Sequence, residues 1–225
     1  MYTPSVMSPY MGHFGPVYIP HSRAILKPVN KEKRMKKLCP LCILLWLLLG
    51  IGYLGQYLLT KEQDTIHAVS SKDAFPYGTV SAEQFAKYTR HKVPLVESLP
   101  DAKLFPVFCA GRGPKHPDML FVSRRMSADE LADCRSHGVV TVAEILLGTI
   151  GEPARPLYIY VKVAHLGLIP GIRSFLRECL SAESAGAGGY LTTFGLIPLA
   201  SEERATEAKK ALLAPPLTIE ELSPH

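Results

Sequence analysis

Hydrophobic and polar positions alternate differently in three parts of the chain. From Leu38 to Thr60 no position carries a charge, and the interior reads Ile43-Leu44-Leu45-Trp46-Leu47-Leu48-Leu49-Gly50-Ile51-Gly52-Tyr53-Leu54-Gly55. At about 1.5 Å per residue, residues 38–60 make a helix about 34 Å long, which matches a hydrocarbon core about 30 Å thick. The pattern predicts one transmembrane helix. A cleaved secretory signal has a shorter apolar region, of about 7–15 residues, and a small-residue cleavage site. Here the run begins well inside the chain and ends in Gln56-Tyr57-Leu58-Leu59.

After the apolar run, residues 61–99 read as a polar linker with a short helix beginning at Ser81, because Ser81-Ala-Glu-Gln84 has the spacing of a capping box. The same spacing at Ser127–Glu130 and Thr141–Glu144 predicts two more helix starts. Strands are expected at Leu104–Cys109, Met119–Ser123 and Leu157–Val163. In the last of these, Leu157, Ile159, Val161 and Val163 alternate with Tyr158, Tyr160 and Lys162, the period of a sheet with one buried face. Ile172, Phe175, Leu176, Cys179 and Leu180 fall on one helical stripe. The Gly186-Ala-Gly-Gly189 turn leads to a strand near Leu191–Leu199, and a helix over Ser201–Leu213 stops before Pro215 and Pro216. The expected order is β, β, α, α, β, α, β, α. It gives an α/β or α+β domain over 100–214 and a tail over 215–225.

The N-terminal 22 residues contain no charge but carry Tyr2, Pro4, Pro9, Tyr10, Phe14, Pro16, Tyr18 and Pro20. Proline at this density blocks helix and ladder formation, so 1–37 reads as an extended Pro/aromatic and basic tail that needs a partner to be ordered.

Charge sharpens this division. The formal net charge is +5, but residues 1–59 hold seven Lys and Arg against Glu32 alone, leaving 18 cations against 19 acids in residues 60–225. The larger part has no net positive field, so a dedicated nucleic-acid surface is disfavoured. The cationic cluster precedes the apolar run, and the positive-inside rule then places the N-terminus on the cytoplasmic or matrix side and the C-terminal domain opposite.

Few residues suggest chemistry. Gly50, Gly52 and Gly55 spell GxGxxG, but inside an apolar run rather than between a strand and a helix, so they read with Gln56 as a helix-packing face. Cys39 and Cys42 at the edge of the run read as apolar packing or acylation positions. Cys109, ahead of Ala110-Gly-Arg-Gly-Pro-Lys115 and His116, is the one weak catalytic candidate, since nearby cations lower a thiol pKa. Cys134 and His137 have metal-compatible spacing but lack two further ligands. No catalytic constellation, cofactor motif or metal set is found, and Gly186–Gly189 reads as a turn rather than a phosphate cradle. Cys109, Cys134 and Cys179 are an odd set, so at least one thiol stays free within the chain. The only Asn is Asn30, followed by Lys31 and Glu32, so there is no glycosylation sequon, which disfavours a glycosyltransferase-like secretory enzyme.

The sequence therefore predicts a single-pass membrane protein with a small α/β domain. It reads as a non-catalytic accessory subunit of a multi-subunit membrane complex, in an energy-converting respiratory-chain setting at the mitochondrial inner membrane. Its expected partners are other subunits and the lipid bilayer, with no nucleic acid. The alternative is a membrane-anchored thiol-dependent or redox enzyme using Cys109.

Overall fold

The computed structural model describes residues 65–222 together with Trp46, which is helical and exposed. The chain divides into two units, residues 1–49 and 50–225, and the elements below belong to the second.

Six strands form one mixed sheet in the order β2-β1-β3-β5-β4-β6. They are β1 (His67–Ser70), β2 (Leu95–Ser98), β3 (Met119–Val122), β4 (Val142–Ile150), β5 (Arg155–Lys162) and β6 (Ile197–Pro198). The first three are parallel, and β5, β4 and β6 follow as antiparallel neighbours. Helices α1 (Phe75–Tyr88) and α2 (Asp101–Cys109) make the two parallel crossovers, and α3 (Ala128–Ser136) leads into β4. After β5 come α4 (Ile172–Cys179), α5 (Ala182–Ala185), α6 (Ser201–Leu213) and α7 (Ile219–Leu222).

Strand periodicity builds two cores. Met119, Phe121, Ile159 and Val161 point into one, with Phe85, Phe175 and Leu176, while Leu120, Val122 and Tyr160 point into the other, with Phe105, Phe108 and Leu131. Helices therefore cover both faces of the sheet, as doubly wound α/β proteins require. This corrects the expectation that β5 has a solvent face: Tyr160 and Lys162 are both fully buried.

Several elements form where the local pattern points. Ser127 caps α3 with its side chain accepting from Glu130 N while Glu130 reaches back to Ser127 N, the full capping box. β3, β5, the α4 stripe and the Ser201–Leu213 helix also fall where the pattern places them. Other expectations are corrected. Leu104–Cys109 is helical, because Leu104, Phe105, Phe108 and Cys109 bury at helical spacing. Ser81 lies buried inside α1, whose first turn carries Pro76, a residue suited to a helix start. Thr141–Glu144 runs into β4, and the segment 191–199 holds a 3₁₀ turn over Tyr190–Phe194 and the two-residue β6. β1, α1 and β2 arise within the stretch read as a linker with a short helix.

The β4 edge shows how side chains repair an irregular ladder. A register shift between Leu146 and Gly148 breaks its pairing with β5, and buried Glu207 of α6 accepts from Leu146 N at 2.9 Å. A Cβ on Gly148 would come within 2.7 Å of Ile197 O, so only glycine admits β6 there.

The integral-membrane expectation is corrected as well, together with its single-span fold class, its mitochondrial inner-membrane placement and its respiratory-chain setting. Among the described residues no helix is long and apolar enough to cross a membrane; the longest, α1, has 14 residues. What the structure supports is an α/β fold around a six-stranded mixed sheet. Residues 38–60, with Gly50, Gly52, Gly55 and Gln56, lie outside the described residues apart from Trp46, as do Cys39, Cys42 and the tail 1–37.

Candidate functional site

Two places in this topology can hold chemistry. In an open α/β sheet, ligands gather at the carboxyl ends of the parallel strands where the crossovers diverge, here between β1 and β3. That crevice is occupied by the protein's own groups. Ser71 N donates to Phe121 O at 3.0 Å, and Ser71 Oγ accepts from Ala74 N at 3.3 Å. Asp73 pairs with Arg155 at 2.8 Å, and the same guanidinium reaches Ser123 Oγ at 3.4 Å. Beyond β3, Arg124 clasps Glu130 through both oxygens at 2.6 and 3.0 Å and lies 4.3 Å from the Phe105 ring centre. Burial raises the Glu130 carboxyl, but its bonds from Arg124 and Ser127 outweigh this and hold it below the usual carboxylate range. Arg125 clasps Glu144, whose Oε2 also accepts the Tyr160 hydroxyl at 2.7 Å. Burial, reinforced by Glu144, pushes the Tyr160 phenol far above its ordinary range.

The second place is the opposite edge, where β1 and β3 begin and β5 ends. Asp118, just before β3, accepts His67 N on Oδ2 at 2.7 Å and faces His165 Nδ1 with Oδ1 at 2.5 Å. His165 Nε2 lies 2.7 Å from Arg112 O. Both ring nitrogens thus face oxygen atoms of the same loop cluster. Lys162 Nζ donates to Gly111 O at 2.6 Å and stands 5.1 Å from the Phe108 ring centre. Two buried side chains, Lys162 and His165, therefore hold consecutive carbonyls of the loop that follows Cys109. His116 folds over Gly111 so closely that a Cβ there would lie 2.7 Å from its Nε2. Desolvation, then the Lys162 and His165 charges, lowers the His116 pKa.

Burial also lowers the Lys162 ammonium to about 8 against the pull of Asp118. Between about 8 and the ordinary 10.5 the unfolded chain binds more protons at this position than the folded one, so Lys162 makes stability rise with pH across that window. Buried Cys179, pushed up to about 12 by desolvation, works oppositely above its ordinary 9. Lys162→Met isolates the lysine contribution. The wild type minus variant difference in unfolding free energy is expected to rise by on the order of 1–3 kcal/mol from pH 7.5 to 10, as read from urea melts at each pH. A flat difference would remove the buried-ammonium assignment.

Cys109, the one catalytic candidate of the sequence, is disulfide-bonded to Cys134. Both sulfurs sit in the second core, and neither residue is more than 1% exposed. Arg112 and Lys115, its expected activating cations, are exposed on the following loop. The bond also takes Cys134 away from His137, whose Nδ1 faces Asp133 O at 2.9 Å. Among the described residues no group of three or more His, Cys, Asp and Glu is arranged to hold a metal. Cys179 is the unpaired thiol among the described residues, and it is fully buried. Sequence reasoning missed Asp118 and Lys162 altogether. A lysine at an alternating strand position reads as solvent-facing, and only the second helix layer buries it.

Comparison of the chain with protein-family models, with curated proteins and with solved structures gives no match.

Proposed function

We propose that the domain over residues 65–222 is a non-catalytic module that works by association, as an accessory subunit of a larger assembly in an oxidising compartment. The observation that carries this reading is the Cys109–Cys134 disulfide, which consumes the one candidate nucleophile inside a core. Protein disulfides persist in secreted, periplasmic and other oxidising surroundings and are rare where thiol reductants are abundant. Other reactive groups support the same reading by the way they are used. His165 and Asp118 bond each other and backbone, and Arg124, Arg125 and Arg155 each face a carboxylate of their own domain.

The experiment is the native mass of the chain in an extract made without denaturant. The chain is expected to travel in a particle well above its own 24.7 kDa.

A further inference from the structure

We infer that the sheet edge where β1, β2 and β3 begin and β5 ends is a docking face for an anionic lipid surface. The inference goes beyond the proposed function, since it holds whether or not the domain joins a larger assembly.

Exposed large apolar side chains are unevenly spread over the domain. Tyr88, Val93, Val140, Leu168, Leu212 and Leu213 are 70, 54, 58, 68, 49 and 79% exposed. All six fall at this edge. Tyr88 ends α1, Val93 precedes β2, Val140 precedes β4, Leu168 follows β5, and Leu212 and Leu213 end α6. Backbone ties place the α6 end here: Arg173 Nη1 donates to Leu212 O at 2.6 Å, and Leu217 N to Val142 O at 2.8 Å. The 89–92 loop joins the same edge, since the His91 ring lies against Gly171. The other exposed large apolar side chains of residues 65–222 are Leu95, within β2, and Phe194 and Ile197, toward the opposite edge. Scattered single apolar residues need no partner, whereas a concentration of them beside polar neighbours marks an interaction surface.

Charge selects the partner. The loops of this edge present Arg90, Lys92, Arg112 and Lys115, all exposed, and Arg173 follows in α4. Among the described residues of these loops the one acid, Asp118, is buried against His165. Asp133, in the last turn of α3, pairs with His137 at 3.4 Å. Glu97 reaches His67 at the start of β1 at 3.2 Å, and Glu178 and Glu183 line a pocket beside Tyr88, while Asp101, Asp129, Glu202 and Glu203 stand toward the opposite edge in the first turns of α2, α3 and α6. Apolar side chains interleaved with Lys and Arg suit an interface of acyl chains and anionic headgroups, which rewards both at once.

The test uses the full chain with Cys39→Ser and Cys42→Ser, so that an introduced thiol alone reacts, carrying Leu213→Cys or Ile197→Cys labelled with an environment-sensitive fluorophore. Each is titrated with vesicles of phosphatidylcholine, with or without phosphatidylserine. The expected result is a blue shift and loss of aqueous quenching for the label at position 213 on phosphatidylserine vesicles only, with the label at 197 unchanged throughout. Adding Arg90→Gln and Lys92→Gln should raise the vesicle concentration at half response roughly thirtyfold, because each surface cation is worth about fivefold. Equal responses on both vesicle types, or no response at 213, would overturn the inference. So would a shift that appears without vesicles as protein concentration rises, which would identify a second copy as the occupant.

Discussion

Replacing Asp118 with alanine is expected to destabilise the domain by about 2–6 kcal/mol, about 1–3 kcal/mol for each of the two buried groups left without its partner. The carboxylate satisfies two groups at once. His67 N would lose its acceptor at 2.7 Å, and the buried His165 ring would be left with nothing opposite Nδ1. Much of the loss should appear as a lower urea midpoint with little change in slope, since the unfolded chain is unaltered in compactness. Asp118→Asn keeps the shape but not the charge and should fall between wild type and alanine. A double-mutant cycle with His165→Ala tests the assignment of the loss, because the pair should couple by about 1–3 kcal/mol. An alanine variant within about 1 kcal/mol of wild type would show that the network contributes nothing appreciable.

Removing the disulfide with Cys109→Ala and Cys134→Ala is the second change expected to be large. The bridge closes a loop of 25 residues, and the chain-entropy relation gives about 3.5 kcal/mol for a loop of that length. The loop spans β3, so opening it enlarges the unfolded ensemble of the central part of the sheet. The two alanines stay apolar in a fully buried position, so the loss reports chiefly the cross-link. Thermal unfolding of the variant beside the oxidised and the reduced wild type checks it: variant and reduced wild type should melt together, well below the oxidised protein. Coincident melting of all three would contradict a stabilising bridge.

How much of this was legible beforehand depended on how local each signal is. The Met119–Val122 and Arg155–Lys162 strands, the α4 stripe and the Ser127 cap each depend on residues a few positions apart, and a pattern of that reach is visible in the chain. Leu104–Cys109 reads as a strand yet folds as a helix because a short apolar run serves either equally well. Thr141-Val-Ala-Glu144 has capping-box spacing, but its Glu144 is used across the sheet by Arg125 and Tyr160, and the β4 ladder wins. β1 and β2 are four residues each and carry His67, Ser70, Glu97 and Ser98, too short and polar to show a period. The site was less legible still. Arg112 and His165 lie 53 positions apart, and Cys109 and Cys134 lie 25 apart, so only the folded crossovers bring each pair together.

The central claim, that these groups are committed to holding a module that acts by association, is tested most directly by the mass of the native particle. A tagged full-length chain is extracted without denaturant and its sedimentation followed by immunodetection, beside a sample dissociated in denaturant. The account predicts that the native sample sediments as a particle several times the 24.7 kDa chain and that only the denatured sample sediments as the single chain. A native sample that sediments as one 24.7 kDa chain would contradict it.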